Sequence, residues 1–292
     1  MFTPNLTLGR LALALLLAGG LSAAESGWRP LFNGKDLTGW TSWLGKPHAS
    51  LDVPGEPKDE KGNYTQPLGA GRDPFQVFTV ATVDGQPAIH ISGQVFGGIT
   101  SAEEFSNYHL RLQFKWGEKK WAPRDQAVRD SGLLYHVHSA MNFNGKTWPR
   151  SPELQIQEHD VGDLYAIGCQ MTVPARRLDP VKRQFQYDPA AGVPIEFIEQ
   201  LPIGNRCIKD PDNEKASGEW NTVELICLGD ESIHIVNGKV VMRLSKATRL
   251  DGPAPAPLTA GKILLQSEGA EVFYRNVEIR PITAVPAEYA AK

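Results

Sequence analysis

The sequence predicts an all-β protein, a two-sheet antiparallel β-sandwich of jelly-roll type with long loops. Three observations carry this. Apolar and polar residues alternate with period two along much of the chain. The clearest case is Tyr108–Trp116, where Leu110, Leu112 and Phe114 oppose Arg111, Gln113 and Lys115. Turn signals such as Asp84-Gly85 and Asn237-Gly238 punctuate the runs. No segment carries the period of a three-turn helix, and 28 Gly and 22 Pro supply many turns.

Near the start of the sequence, Arg10 is followed by an apolar run Leu11–Leu17 and small residues to Ala24. That is the pattern of a signal peptide over residues 1–24. The run is short for a membrane span of ~20 residues. A secreted or periplasmic protein is therefore expected, with no stable membrane insertion after cleavage, and with residues 25–292 as one domain. Leu37–Trp40 reads as a short edge element. Ser42–Asp73 lacks periodicity and reads as a long surface loop, where Trp43, His48 and Tyr64 are either plain surface or ligand contacts. Phe78–Val83 and Ala88–Ser92 form a hairpin across Asp84-Gly85, and Gly98–Ser101 is a short strand. Gly117–Asp130 is a charged loop. Gln170–Gly218 is rich in proline and reads as an irregular excursion with one short strand at most. The strand pattern returns at Trp220–Leu228, Ser232–Val236, Lys239–Leu244, Lys262–Gln266 and Glu271–Arg280.

A net charge of −3, from 30 basic and 33 acidic residues without a basic stripe, argues against nucleic acid as a partner. Of the three cysteines, Cys227 sits in a buried-strand pattern. Cys169 and Cys207 bracket the irregular segment, so an oxidising compartment would pair them.

Asp130–Gly168 holds the densest chemistry. Leu133–His138 and Glu153–Glu158 read as two strands around a polar loop that carries Trp148. Alternation puts Leu134, His136 and His138 on one face of the first, and Glu153, Gln155 and Gln157 on one face of the second. If the strands pair, imidazoles, a carboxylate and amides line a single sheet face, either a wet outer surface or the floor of a groove. Glu158 would join that face only through a β-bulge after Gln155. Two carboxylates on one sheet face is the arrangement glycosidases use for acid–base work.

Several motifs together extend the reading. LFNGKDLTGW, DSGLLYHV, PELQIQEHD, GEWNTVELICLGDESIHIVNGKVV and ILLQSEGAEVFYRNVEIRPI, in this order over Trp28–Ile282, resemble the 3-keto-disaccharide hydrolase family. That resemblance implies a concanavalin A-like fold and a carbohydrate ligand. It is also similar to the Glu-x-Asp-x-x-Glu strand of family 16 glycosidases, here Glu153, Gln155 and Glu158, with an amide in place of the central carboxylate. Compared with the family's usual motifs, Asp130 and His136 stand for Asn and Arg, and Ser267 and Glu268 follow Gln266 where Asp and His are typical. Arg275 and Asn276 keep an Arg-Asn pair.

The chemistry implied is cleavage of 3-keto-glycosides. The C3 carbonyl acidifies the C2 proton, so a base at C2 and an acid at the glycosidic oxygen allow elimination and then hydration. On this reading Glu153, Glu158 and His136 are the catalytic candidates, and Gln155, His138, Trp148, Gln266 and Glu268 hold the sugar. A divalent metal held by His136, His138 and Glu153 would stabilise the enolate oxygen. The alternatives are a non-catalytic lectin-like binding protein and an ordinary family 16-like glycosidase.

Overall fold

The computed structural model describes residues 27–145, 147–179, 181, 184–200 and 202–291. The expected signal peptide lies outside them. Two antiparallel sheets dominate, one of 12 strands and one of eight. Among the described residues, helix is limited to short 3-10 turns such as Phe143–Gly145 and Ala287–Tyr289. Among the described residues, no helix is long and apolar enough to cross a membrane.

Alternation builds the core. Leu110, Leu112 and Phe114 of Tyr108–Lys120 point inward, with Val223, Leu225 and Tyr274 beside them. Ile99, Leu133, Leu154, Ile156 and Leu265 come from the eight-stranded sheet and belong to the same apolar cluster. Each such side chain stabilises the fold by about 1.5–3 kcal/mol when fully buried. The expected hairpin is present, with Val83 paired to Gln86 across Asp84-Gly85. Both turn residues adopt positive φ, 49° and 75°, as a tight two-residue hairpin turn requires.

The proline-rich excursion is a correction. It contains the strands Cys169–Asp179, Gln184–Tyr187, Val193–Phe197 and Arg206–Cys207. Proline reads as a strand breaker because it cannot donate to the ladder. Here Pro174 lies opposite Pro194, so neither faces a residue whose ladder it would break in its own pairing. Met171, Val173, Ala175, Phe185, Tyr187 and Phe197 then close a second apolar cluster.

The disulfide expected between Cys169 and Cys207 is not formed, since all three cysteines are buried free thiols. Burial pushes the Cys227 thiol up to about 12 and the other two thiols up further. Reductant is expected to leave the melting temperature unchanged. A loss of several degrees on adding dithiothreitol would contradict the free-thiol assignment.

The loop Ser42–Asp73 begins as a strand, Trp40–Leu44, and is tied down by Tyr64. The Tyr64 hydroxyl accepts from Val53 N at 2.9 Å and donates to Leu51 O at 2.8 Å. Tyr64 is thus a buried staple of the loop, and His48 bonds Ser50.

Candidate functional site

The strands Asp130–Val137 and Ser151–Gln157 pair in antiparallel register, with Asp130 opposite Gln157, Gly132 opposite Gln155 and Leu134 opposite Glu153. Their alternate residues Leu133, Leu154 and Ile156 face the core. Asp130, Gly132, Glu153, Gln155 and Gln157 therefore share the outer face of the eight-stranded sheet. Lys262–Ser267 pairs on the other side of Asp130–Val137 and brings Gln266 to that face.

Over this face lies a cavity of about 320 Å³, lined by Asp130, Glu153, Gln155, Gln157 and Glu268, with Arg124 and Trp148 at its walls. Gly132 makes room for it. A Cβ there would collide with the Glu153 carboxyl and come within 2.6 Å of Gln266 Oε1. The two side chains arch over the bare backbone. Gly132→Ala is expected to expel the Glu153 carboxyl, cost about 1–3 kcal/mol as overpacking does and abolish activity. An active, equally stable G132A enzyme by thermal melt and assay would count against this placement.

Electrostatics separate the carboxyls. Burial, followed by the nearby Glu268 and Asp130 carboxyls, drives Glu153 well above the usual carboxylate range. Burial and Asp130 push Glu268 up to about 8, against the pull of Arg124. Asp130 is raised to about 6 by burial, with Arg124 and Gln157 favouring its charge. Arg124 Nη2 lies 2.6 Å from Asp130 Oδ2, and Gln157 donates to the same oxygen. Asp130, held by Arg124 and Gln157, is thus the carboxyl most favoured to carry charge, while burial favours the protonated form of Glu153 and Glu268. Asp130 Oδ1 and both polar atoms of the Gln266 amide are buried without a partner among the described residues. Such groups await a ligand or water.

Other expected site residues fall elsewhere. The bulge anticipated after Gln155 is absent, as Gln157 stays in register with Asp130. Glu158 consequently stays off the face. It accepts from Arg129 N at 2.8 Å and pairs with the Arg129 guanidinium at 2.8 Å. Burial opposes its charge, but these donors prevail and hold its carboxyl below the usual range. The bulge lies instead in Asp130–Val137, where two residues, Tyr135 and His136, span the place of Ile263 alone. His136 takes φ 47° and turns into the core, its ring 5.7 Å from Tyr108 and 5.6 Å from Tyr135. Burial holds it neutral, its pKa down at about 4. It cannot serve as the acid.

His138 lines a different cavity, which Glu153 does not reach. The proposed metal ligands His136, His138 and Glu153 therefore do not converge. Among the described residues, no group of three or more His, Cys, Asp or Glu is arranged to hold a metal ion. The donor set does not fit a metal. Trp148 stays at the acid pocket, stacked on Phe96 with centroids 6.3 Å apart.

Asp130 and Arg124 were missed as site residues. Asp130 continues the period-two pattern back from Gly132, a signal legible once the strand is extended to its true start. Arg124 comes from a loop, and nothing in the sequence marks it.

Solved structures of similar shape include two candidate glycosyl hydrolases from Parabacteroides distasonis. One shares 19% identity over 89% of this chain and 95% of its own, with a TM-score of 0.48. The other shares 19% over 87% and 99%, with a TM-score of 0.45. The carbohydrate-binding module CBM66 of Bacillus subtilis shares 9% over 70% and 91%, with a TM-score of 0.38. No curated protein matches the chain by sequence. The family described as the 3-keto-alpha-glucoside-1,2-lyase-like domain matches residues 27–280, nearly the whole described chain, and the protein belongs to that family.

Proposed function

We propose that the pocket around Glu153 cleaves 3-keto-glycosides by elimination. The observation that carries this is one pocket lined by three buried carboxyls, of which Asp130 alone is ion-paired among the described residues, with Arg124 at 2.6 Å; burial favours the protonated form of Glu153 and Glu268. A base and an acid are thereby available at one pH without a change of state. Asp130 takes the C2 proton, and the C–H electron pair moves onto the C3 carbonyl as an enolate. The enolate collapses to a C1–C2 double bond, the C1–O bond breaks, and Glu153 gives its proton to the departing oxygen. Water then adds across the double bond, its proton to C2 and its hydroxyl to C1. The amides of Gln155 and Gln266 donate to the sugar oxygens, and Trp148 borders the ring.

A family 16-like retaining displacement would need Glu158 beside Glu153 as its second carboxyl. The ion pair of Glu158 with Arg129 argues against that route. We place the reaction outside the cytoplasm on the strength of the Met1–Ala24 pattern alone.

The test is cleavage of a 3-keto-disaccharide beside its unoxidised parent, in D₂O, with and without chelator. Elimination cleaves only the keto sugar, leaves deuterium at C2 of the product and ignores the chelator. Equal cleavage of the parent would indicate an ordinary glycosidase. Binding of either sugar without cleavage would leave a lectin-like protein.

A further inference from the structure

The outer face of the eight-stranded sheet carries a second and larger cavity, about 780 Å³, at the opposite end of its strands. Met141, Phe143 and Trp148, from the segment that follows Asp130–Val137, pack on Leu134 and Leu264 and stand between the two cavities. Neither Glu153 nor Glu268 lines the larger one. We propose that this cavity is a separate binding site for an unoxidised pyranose unit of a glycan.

Four side chains carry the argument. Trp43 lies on the strand Trp40–Leu44, opposite Gly98 on one side and Ala70 on the other. Its neighbours across the sheet are too small to cover the indole, which stays half-buried and forms a wall of the cavity. A sugar ring presents an apolar C–H face that suits such a platform.

His138 supplies a directed acceptor. Its Nδ1 lies 3.0 Å from the His136 carbonyl oxygen, so Nδ1 carries the proton and Nε2 the lone pair. Nε2 is buried and has no partner among the described residues. A sugar hydroxyl is the donor this nitrogen lacks.

Lys262 and Glu104 complete the set at the cavity wall. Neither forms an ion pair among the described residues, so one ammonium and one carboxylate remain for hydroxyl groups. An aromatic platform with a fixed acceptor, a cationic donor and an anionic acceptor fits a neutral polyhydroxylated ring. Arg249 also lines the cavity but is tied to Asp251 at 2.8 Å, which leaves too little free positive charge for an anionic sugar, and the polar groups are too many for an apolar ligand.

This site does not rest on the elimination reading, because it uses none of those residues. The test is calorimetric titration of the full chain with cellobiose, maltose and trehalose, none carrying a keto group. It is run on the wild type and on Trp43→Ala, His138→Ala, Lys262→Met and Glu153→Gln. Circular dichroism and thermal melts establish that each variant is folded, and K262M, altering only a half-buried side chain, remains informative if W43A does not fold. The expected result is binding of at least one disaccharide, weakened tenfold or more by H138A and W43A and severalfold by K262M, with E153Q unaffected. Binding lost in E153Q but kept in H138A and K262M would place the sugar in the acid pocket and overturn the proposal. So would the absence of binding to all three sugars at millimolar concentration.

Discussion

Glu153→Gln is expected to lower kcat on a 3-keto-disaccharide by about 10²–10⁴-fold, the usual contribution of a positioned general acid. The substitution is nearly isosteric, and burial already favours the neutral form of the native side chain. The amide can therefore sit over Gly132 as the carboxyl does and leave the pocket's shape intact. What it lacks is a proton to give. The loss should then depend on the leaving group. A 3-keto glucoside of 4-nitrophenol departs as a stable phenolate and needs little protonation, so E153Q should recover most of its rate there. Glu158→Gln provides the contrast. That carboxylate is committed to Arg129, away from the pocket, and its loss should change kcat only about twofold if the fold holds. Full activity in E153Q, or an equal loss in E158Q, would move the acid to another residue. Failure of the nitrophenyl substrate to rescue E153Q would assign Glu153 a positioning role.

The sheet face that carries this chemistry was legible because period-two alternation is a local property of the chain. Glu153, Gln155 and Gln157 point one way and Leu154 and Ile156 the other, whatever else the protein does. The failures were non-local. One extra residue in Asp130–Val137 carries His136 from the outer face into the core, and nothing between Leu133 and His138 announces it. A bulge depends on the partner strand, here Lys262–Ser267, more than a hundred residues along the chain. The expected bulge after Gln155 failed for the same reason, since it was inferred from spacing in one strand. Prolines hid the strand Cys169–Asp179 because a missing donor is read as a break, while its consequence depends on which edge it faces. Arg124, which decides that Asp130 keeps the charge, reaches the site from a loop and could be found only in three dimensions.

The same charge distribution predicts how stability depends on pH. Between about pH 7 and pH 8 the folded protein should lose stability as pH rises. An unfolded Glu268 ionises near its ordinary value of 4.5, whereas burial and Asp130 hold the folded one protonated up to about 8. In that window the unfolded state binds fewer protons than the folded state, so raising the pH favours unfolding. Glu153, raised by burial and by the Glu268 and Asp130 carboxyls, acts in the same direction, and Glu214, pushed up to about 7 by burial, adds at the lower end of the window. His136 and His234 act oppositely. Burial lowers both to about 4 from 6.5, so the stability they contribute is present above 6.5 and lost as pH falls toward 4. Below 6.5 the two trends compete; above it only the carboxyls change. The buried thiols begin to contribute above about pH 8.5, where unfolded cysteines ionise, which sets the upper limit.

One proton per pH unit is worth about 1.4 kcal/mol, and a domain of this size shifts by about 2–4 °C per kcal/mol. A fall of several degrees between pH 7 and pH 8 is therefore expected in the wild type. Glu268→Gln should remove part of the slope, and the double variant with E153Q should keep only the smaller slope of Glu214 near pH 7 and be more stable than the wild type at pH 8. A flat wild-type profile would mean that these carboxyls are ionised in the folded protein, which would also remove the acid from the elimination. The stability slope and the catalytic assignment thus stand on one physical quantity, the proton held by a buried glutamate, and a thermal melt measures it without any substrate.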